Sequence, residues 1–373
     1  MGNSTPGSAL IRSSAKTALA ACLNASRARQ ALASWNRWRA GGRRILVLGY
    51  HRVVPDFAEA ERSAIPGLLI STATLKAQLE CAASAGFEPA SLEDALEVMA
   101  GRRKARSDLL VVTFDDGYRD VAVHAAPLLA SLGVPAICYL ATGFIGTDRR
   151  FDHDRLYHLA RLALARRLRP QGDSAALLAP VLAGQRSVSE ALDDFLSCHP
   201  VSTVKGVLEL LETALASAGD VTPKDGEPMS WDEVRRLAGL GFSLGAHTRS
   251  HAVLTLTSGA TRADEIRGSK EDIERETGQR VRDFSYCNGW YSAGLIRELA
   301  AQGFRSAVTT EDLPNRLGGD PFLLRRKVIW ENASLGPDGA FSAQLTRCQL
   351  DDVFGSLGLR KPVPGRQLDA GAG

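Results

Sequence analysis

Apolar residues fall in short runs along the chain, separated by longer stretches of helical spacing. RILVLGYH (44–51), LLVVTF (109–114), PAICYL (135–140), GFSLGAH (241–247), DFSY (283–286) and FRSAVTT (304–310) each read as a strand, and FLLRRKVIW (322–330) completes the set. Between them, STATLKAQLECAASAG places Leu75, Leu79 and Ala82 on one helical face and stops at Gly86. SLEDALEVMAG opens with a Ser91–Asp94 capping pattern. TRADEIRGSKEDIERETG (261–278) is a charged amphipathic helix, and SAGLIRELAAQG (292–303) ends at Gly303. Strand then helix, repeated, predicts parallel strands with right-handed crossovers. Residues 151–230 break the rhythm. Val204, Val207, Leu208, Leu211 and Leu215 form a stripe that predicts a helical insertion packed on the strand body.

The polar residues that matter stand where strands end. LVLGYH ends on His51, LLVVTF runs into Asp115 and Asp116, and SLGAH ends on His247 with His251 following in HTRSH. In parallel α/β folds that end carries the active site. Burying one charge is costly and burying two neighbouring ones more so, so these carboxylates read as standing at the rim of the core. At a rim they can splay around a cation. Two histidines separated by three residues suit a divalent ion when a helical turn brings them together. The second residue is Thr248 and not Glu, so a general base must come from another segment, and Asp115 or Asp116 can supply it. That division between a bound carboxylate and a proton-accepting neighbour is what metal-assisted hydrolysis requires.

Composition narrows the setting. The 373 residues are 45% hydrophobic and 23% charged, an ordinary globular balance, and a net charge of +3 gives no case for nucleic acid. Six scattered cysteines lack C-x-x-C spacing, which reads as a reduced, cytoplasmic chain, with Cys138 a buried small hydrophobe. The first residues carry neither a clean signal peptide, since Lys16 interrupts the apolar part, nor a myristoylation signal, since Pro6 stands where Ser or Thr is wanted. Residues 1–43 read as a basic helical or disordered arm, either a plain tail or a contact to a membrane surface. Residues 44–335 hold the strands, and 336–373 form a C-terminal extension with a disordered end after Leu359.

These motifs resemble the polysaccharide deacetylases, the nodulation-protein B homology domain or carbohydrate esterase family four. TFDDG is similar to the family's first motif and HTRSH to its H-[ST]-x-x-H motif, and the resemblance extends over roughly residues 44–330. It implies a distorted (β/α) barrel with about seven parallel strands and hydrolysis of an N-acetyl group on an amino sugar. It implies Asp115 as general base and one divalent ion, zinc, held by Asp116, His247 and His251. The family's Arg-x-Pro-aromatic motif, whose Arg orients the catalytic Asp, is replaced by Ser285, Cys287 and Asn288. A late strand ending in the family's leucine-histidine motif is missing. ILVLGYHRV resembles instead the N-terminal histidine of a permuted branch, which implies His51 as the acid that protonates the leaving amine. Asn288, Tyr118 and Trp231 are candidate substrate contacts, with Trp231 alternatively a core residue. His124, His158 and His199 read as surface or helix-end residues, and His153 as bordering the pocket. The competing readings are a silent saccharide-binding protein on the same fold and a hydrolase of another C–N bond, a formamide or cyclic imide.

Overall fold

Runs of apolar residues without polar alternation need strands covered on both faces. The computed structural model, which describes residues 6–39, 41–169, 171–216 and 222–359, builds such strands. They are Ile45–Tyr50 (β1), Arg52–Val54 (β2), Leu69–Ser71 (β3), Phe87–Pro89 (β4), Asp108–Phe114 (β5), Ala136–Leu140 (β6), Phe242–Ala246 (β7), Asp283–Ser285 (β8), Ser306–Val308 (β9) and Lys327–Val328 (β10). Seven run parallel in the order β10-β1-β5-β6-β7-β8-β9. β4 and β6 share one edge of β5, β4 pairing with its first half and β6 with its second. The sheet curls until Val308 bridges Leu324, just before β10, and Thr309 N–H donates to the Leu324 carbonyl at 2.7 Å. This is the distorted (β/α) barrel the sequence implies. β5 is buried over all seven of its residues.

The expected strands recur within a few residues. FLLRRKVIW shortens to β10 because Pro321–Leu323 forms a 3₁₀ turn. β2, β3 and β4 have three residues each, too few for a period to register. The helix Thr72–Ser84 buries Leu75, Leu79 and Ala82 as expected, and Ser91 Oγ accepts from Asp94 N–H at 3.0 Å.

The insertion forms four helices, Asp152–Ala165, Ser174–Leu182, Val188–Cys198 and Val201–Leu215. Its stripe does not pack on the barrel. Val204, Val207, Leu208, Leu211 and Leu215 close on Leu156, Leu159, Leu177, Leu192 and Phe195, a core separate from that of the barrel. Four helices supply enough apolar surface to bury one another, so the stripe has partners nearer than the strands.

The basic arm is helical over Pro6–Ala25 and Ala28–Arg39, and it pairs with the C-terminal extension. Ala20 packs with Leu345, Cys348, Val353 and Phe354. Asn36 Nδ2 donates to the Asp351 carbonyl at 2.8 Å, and Arg44 pairs with both Asp351 and Asp108, the first residue of β5. Arm and extension therefore cover the N-terminal end of the barrel. The expected disordered end after Leu359 lies outside the described residues. Among the described residues no helix is long and apolar enough to cross a membrane.

Candidate active site and metal centre

Parallel pairing brings the strand ends to one rim. Tyr50 pairs with Phe114, and Asp115 N–H donates to the Tyr50 carbonyl at 2.9 Å, so His51 and Asp115 leave adjacent strands side by side. His247 N–H donates to the Leu140 carbonyl at 3.0 Å and Ala141 N–H to the Asp116 carbonyl at 3.0 Å, which ties the ends of β5, β6 and β7 together.

The chain then turns sharply. Asp116 sits at φ 72° and Gly117 at φ 94°. A Cβ on Gly117 would lie 2.7 Å from Ile145 Cδ1 and 2.9 Å from Leu140 Cδ2, so only glycine fits. The turn sends the two aspartates apart. Asp115 receives the Arg326 guanidinium in a fork, Nη1 to Oδ1 and Nη2 to Oδ2, both at 2.7 Å, and Ser285 Oγ lies 3.3 Å from Oδ2. Burial works to raise the Asp115 pKa, but the Arg326 charge and hydrogen bonds outweigh it and hold the carboxyl well below the usual range.

Asp116 faces the other way. Its Oδ1 is buried without a hydrogen-bond donor, 3.5 Å from His247 Nε2 and 3.3 Å from His251 Nε2. His247 Nδ1 lies 2.7 Å from the Ser285 carbonyl and donates to it, which leaves Nε2 with a lone pair. Burial pushes the His247 pKa down to about 3, so the ring is neutral at ordinary pH. Burial, Asp115 and Asp154 all push Asp116 upward. Acceptors converging on one point without a donor are repulsive unless a cation joins them, so the residues fit a divalent ion. Cys287 Sγ also falls within a 4.8 Å group with the two histidines. It lies on the far side of the His247 ring, 3.9 Å from Nδ1, and burial raises its pKa well above that of a free thiol. On the Nε2 side, Asp116 Oδ1 stands 3.5 and 3.3 Å from the two histidine nitrogens. Asp116 is the better third donor.

HTRSH does not form the expected helical turn. Thr248 and His251 adopt left-handed φ of 64° and 55°, and Glu265 fastens the loop by accepting from Arg249 N–H at 2.7 Å and Ser250 N–H at 2.9 Å. The loop brings the imidazoles together instead. Among the described residues seven non-glycines have left-handed φ, and four of them, Asp116, Thr248, His251 and Asn288, are at this site, the clustering expected where strain serves function.

Two residues central to the site went unrecognised in the sequence. Arg326, 1% exposed, occupies the place beside Ser285 left by the missing motif arginine, with Nη2 3.1 Å from Ser285 Oγ. Its signal was an arginine inside an apolar run. Asp154 accepts from the Tyr118 hydroxyl at 2.7 Å, and burial raises its pKa to about 6. The same hydroxyl meets His153 Nε2 at 2.6 Å, and that nitrogen is 3.9 Å from Asp116 Oδ2. Tyr118 is thus fully buried, with its hydroxyl committed, and it positions His153 instead of reaching a substrate. Trp231 packs with the barrel core and against Gly146, as a core residue does. Asn288 lies in a cleft beside the histidines with His153, His251 and, from the insertion, Leu196, His199 and Val204. His199 caps its helix as expected and also walls this cleft. His51 is neutral in the free site, since burial, with smaller contributions from Arg326 and His251, pushes it down to about 4 against the pull of Asp115.

The fold recurs in solved structures. IcaB from Ammonifex degensii superposes with a TM-score of 0.54 at 17% identity over 83% of this chain and 98% of that one. The Streptococcus pyogenes deacetylase PplD, in complex with acetate, gives 0.51 at 16% identity over 79% and 96%. A de-N-acetylase from Aggregatibacter actinomycetemcomitans gives 0.51 at 16% identity over 80% and 98%. A search of curated proteins finds no match. The family model for polysaccharide deacetylase matches residues 102–307, more than half of the chain and the span that carries Asp115, Asp116, His247 and His251. The chain belongs to the polysaccharide deacetylase family, hydrolases of non-peptide C–N bonds.

Proposed function

We propose that this enzyme removes an N-acetyl group from an amino sugar in a poly- or oligosaccharide or its precursor, with Asp115 as general base, His51 as general acid and a divalent ion, zinc, held by Asp116, His247 and His251. The observation that carries the reading is the buried, donorless Asp116 Oδ1 facing two imidazole Nε2 atoms, beside an Asp115 locked by Arg326. Bound there, the ion supplies polarisation of the acyl group and acidification of water. Asp115, held ionised by the Arg326 guanidinium, accepts the water proton. His51, neutral in the free site and side by side with Asp115 on the adjacent strand end, takes up the proton that Asp115 receives from water and delivers it to the departing amine. A silent saccharide-binding protein has no use for this set. The scattered cysteines favour a cytoplasmic location, and the basic arm favours contact with a membrane surface.

Two results test the roles. His247→Ala should lose bound zinc by elemental analysis, because it removes one of three ligands; equal metal in both proteins would exclude His247. His51→Ala should keep its zinc and lose about 10²-fold in kcat on an N-acetyl saccharide. That loss should shrink on an activated phenyl ester, whose leaving group needs no proton. An equal loss on both substrates would make His51 a positioning residue.

A further inference from the structure

The described residues include twelve large apolar side chains that stand exposed, and half of them come from three segments that meet at one end of the barrel. Trp35 and Trp38, 51% and 70% exposed, stack on one another at 4.8 Å on the second helix of the arm. Leu313 and Leu317 come from the loop between β9 and β10, and Leu357 and Leu359 from the end of the C-terminal extension. These segments meet. A cleft lined by Arg39, Leu313, Arg316 and Ser356 joins them, and Leu317 lies 4.0 Å from where a Cβ on Gly42 would stand.

The charge around the patch is predominantly basic, although Asp352 lines the cleft and Asp320 stands exposed beyond Leu317. The first 55 residues carry nine basic side chains and no acid, while the rest of the chain carries 36 basic against 42 acidic. Arg39, Arg43 and Arg316 are exposed and make no ion pair among the described residues. The other acids nearby are committed: Glu311 to Arg325, Asp312 to Lys327, and Asp351 to Arg29 and Arg44. Amphipathic indole rings rimmed by unpaired arginines match the interfacial region of a bilayer with anionic headgroups.

The position of the patch gives it a direction. Asn315, between Leu313 and Leu317, bridges Ile45, the first residue of β1, and His51 follows the last. At ~3.3 Å per residue the strand separates patch and rim by about 20 Å.

We propose that this end of the barrel, through Trp35, Trp38, Leu313, Leu317, Arg39 and Arg316, docks on an anionic lipid surface and holds the catalytic rim facing away from it. This deepens the membrane contact proposed above and directs the enzyme toward a saccharide in solution on the protein's side of the bilayer. It does not depend on the deacetylase reading, because docking is measured without turnover.

Sedimentation of the full chain with phosphatidylcholine vesicles, with and without phosphatidylglycerol, tests it. Binding should need phosphatidylglycerol and should vanish near 1 M salt, where the Debye length is ~3 Å. Arg39→Glu/Arg43→Glu/Arg316→Glu should weaken binding by about 100-fold or more, from about fivefold for each arginine. Trp35→Ala/Trp38→Ala should weaken it about tenfold. Circular dichroism and the thermal transition of both variants should match wild type, since every changed side chain is exposed. No binding, or equal binding to both vesicles, overturns the proposal. So does a wild-type dimer that these variants dissociate, which would make the patch an interface between copies. Deacetylation of a soluble saccharide should proceed equally with and without vesicles; loss on docking would place the rim against the bilayer and overturn the orientation.

Discussion

Asp115→Asn is expected to keep its bound metal and to lose turnover by about 10²–10⁴-fold, the weight of the general base proposed for it. The ligand side of the site, Asp116 Oδ1 with the two Nε2 atoms, does not touch Asp115, whose oxygens are spent on Arg326 and Ser285. An amide cannot take a proton from water. It also presents an NH₂ to a guanidinium that offers only donors, so one arm of the fork is lost and Arg326 is left buried without its counter-charge. Breaking a buried pair on one side costs about 3–5 kcal/mol, so the variant should also unfold at lower urea. Metal content and kcat, measured on protein shown to be folded, separate the two effects. If Asp115→Asn loses its metal while Asp116→Asn retains it, the roles of the two aspartates are exchanged.

The sequence explains only in outline why the buried strand β5 runs into Asp115, Asp116 and Gly117. An apolar run stopping on charges announces a rim. It cannot announce that Gly117 is required because any Cβ there would strike Ile145 and Leu140, nor that Asp116 turns left-handed to part from its neighbour. HTRSH showed the right residues, but the loop geometry depends on Glu265, which comes from a helix that read as merely charged and amphipathic. The insertion stripe was legible as a stripe. Its partners were not, because periodicity tells which face is apolar and not what covers it. Tyr118 reads as a candidate substrate contact, and its buried hydroxyl serves internal hydrogen bonding instead, while Trp231 packs against the core, in keeping with the core reading its sequence also allows. Arg326 is the instructive omission. An arginine within an apolar run is as costly to bury as carboxylates after one, and it marks a buried partner in the same way. A buried guanidinium needs a carboxylate, and Asp115, the proposed base, lacks the family's motif arginine as its partner.

Replacing that arginine should expose how the site is tuned. In Arg326→Met the fork to Asp115 is gone and the Ser285 hydroxyl alone remains. Burial, the largest influence on this carboxyl, then acts unopposed by its nearest positive charge and drives the pKa upward. The base becomes protonated in the range where the wild type is ionised. Turnover at neutral pH should fall by about 10²-fold or more, and it should recover as pH rises, moving the acid limb of the kcat profile upward. Stability should change sign in its pH dependence. In the wild type the depressed Asp115 contributes stability that is present above the unfolded value of 3.8 and is lost only as pH falls through the still lower folded value. In the variant the folded value lies above the unfolded one, so the contribution is retained at low pH and lost as pH rises. Urea midpoints for the two proteins should therefore differ more at pH 8 than at pH 5. Arg326→Lys should restore charge but not the fork, and it should recover only part of kcat, because an ammonium cannot bridge both oxygens in the plane of the carboxylate. A variant with wild-type kcat and an unshifted acid limb would reduce Arg326 to a packing residue and leave Asp115 positioned by Ser285 alone.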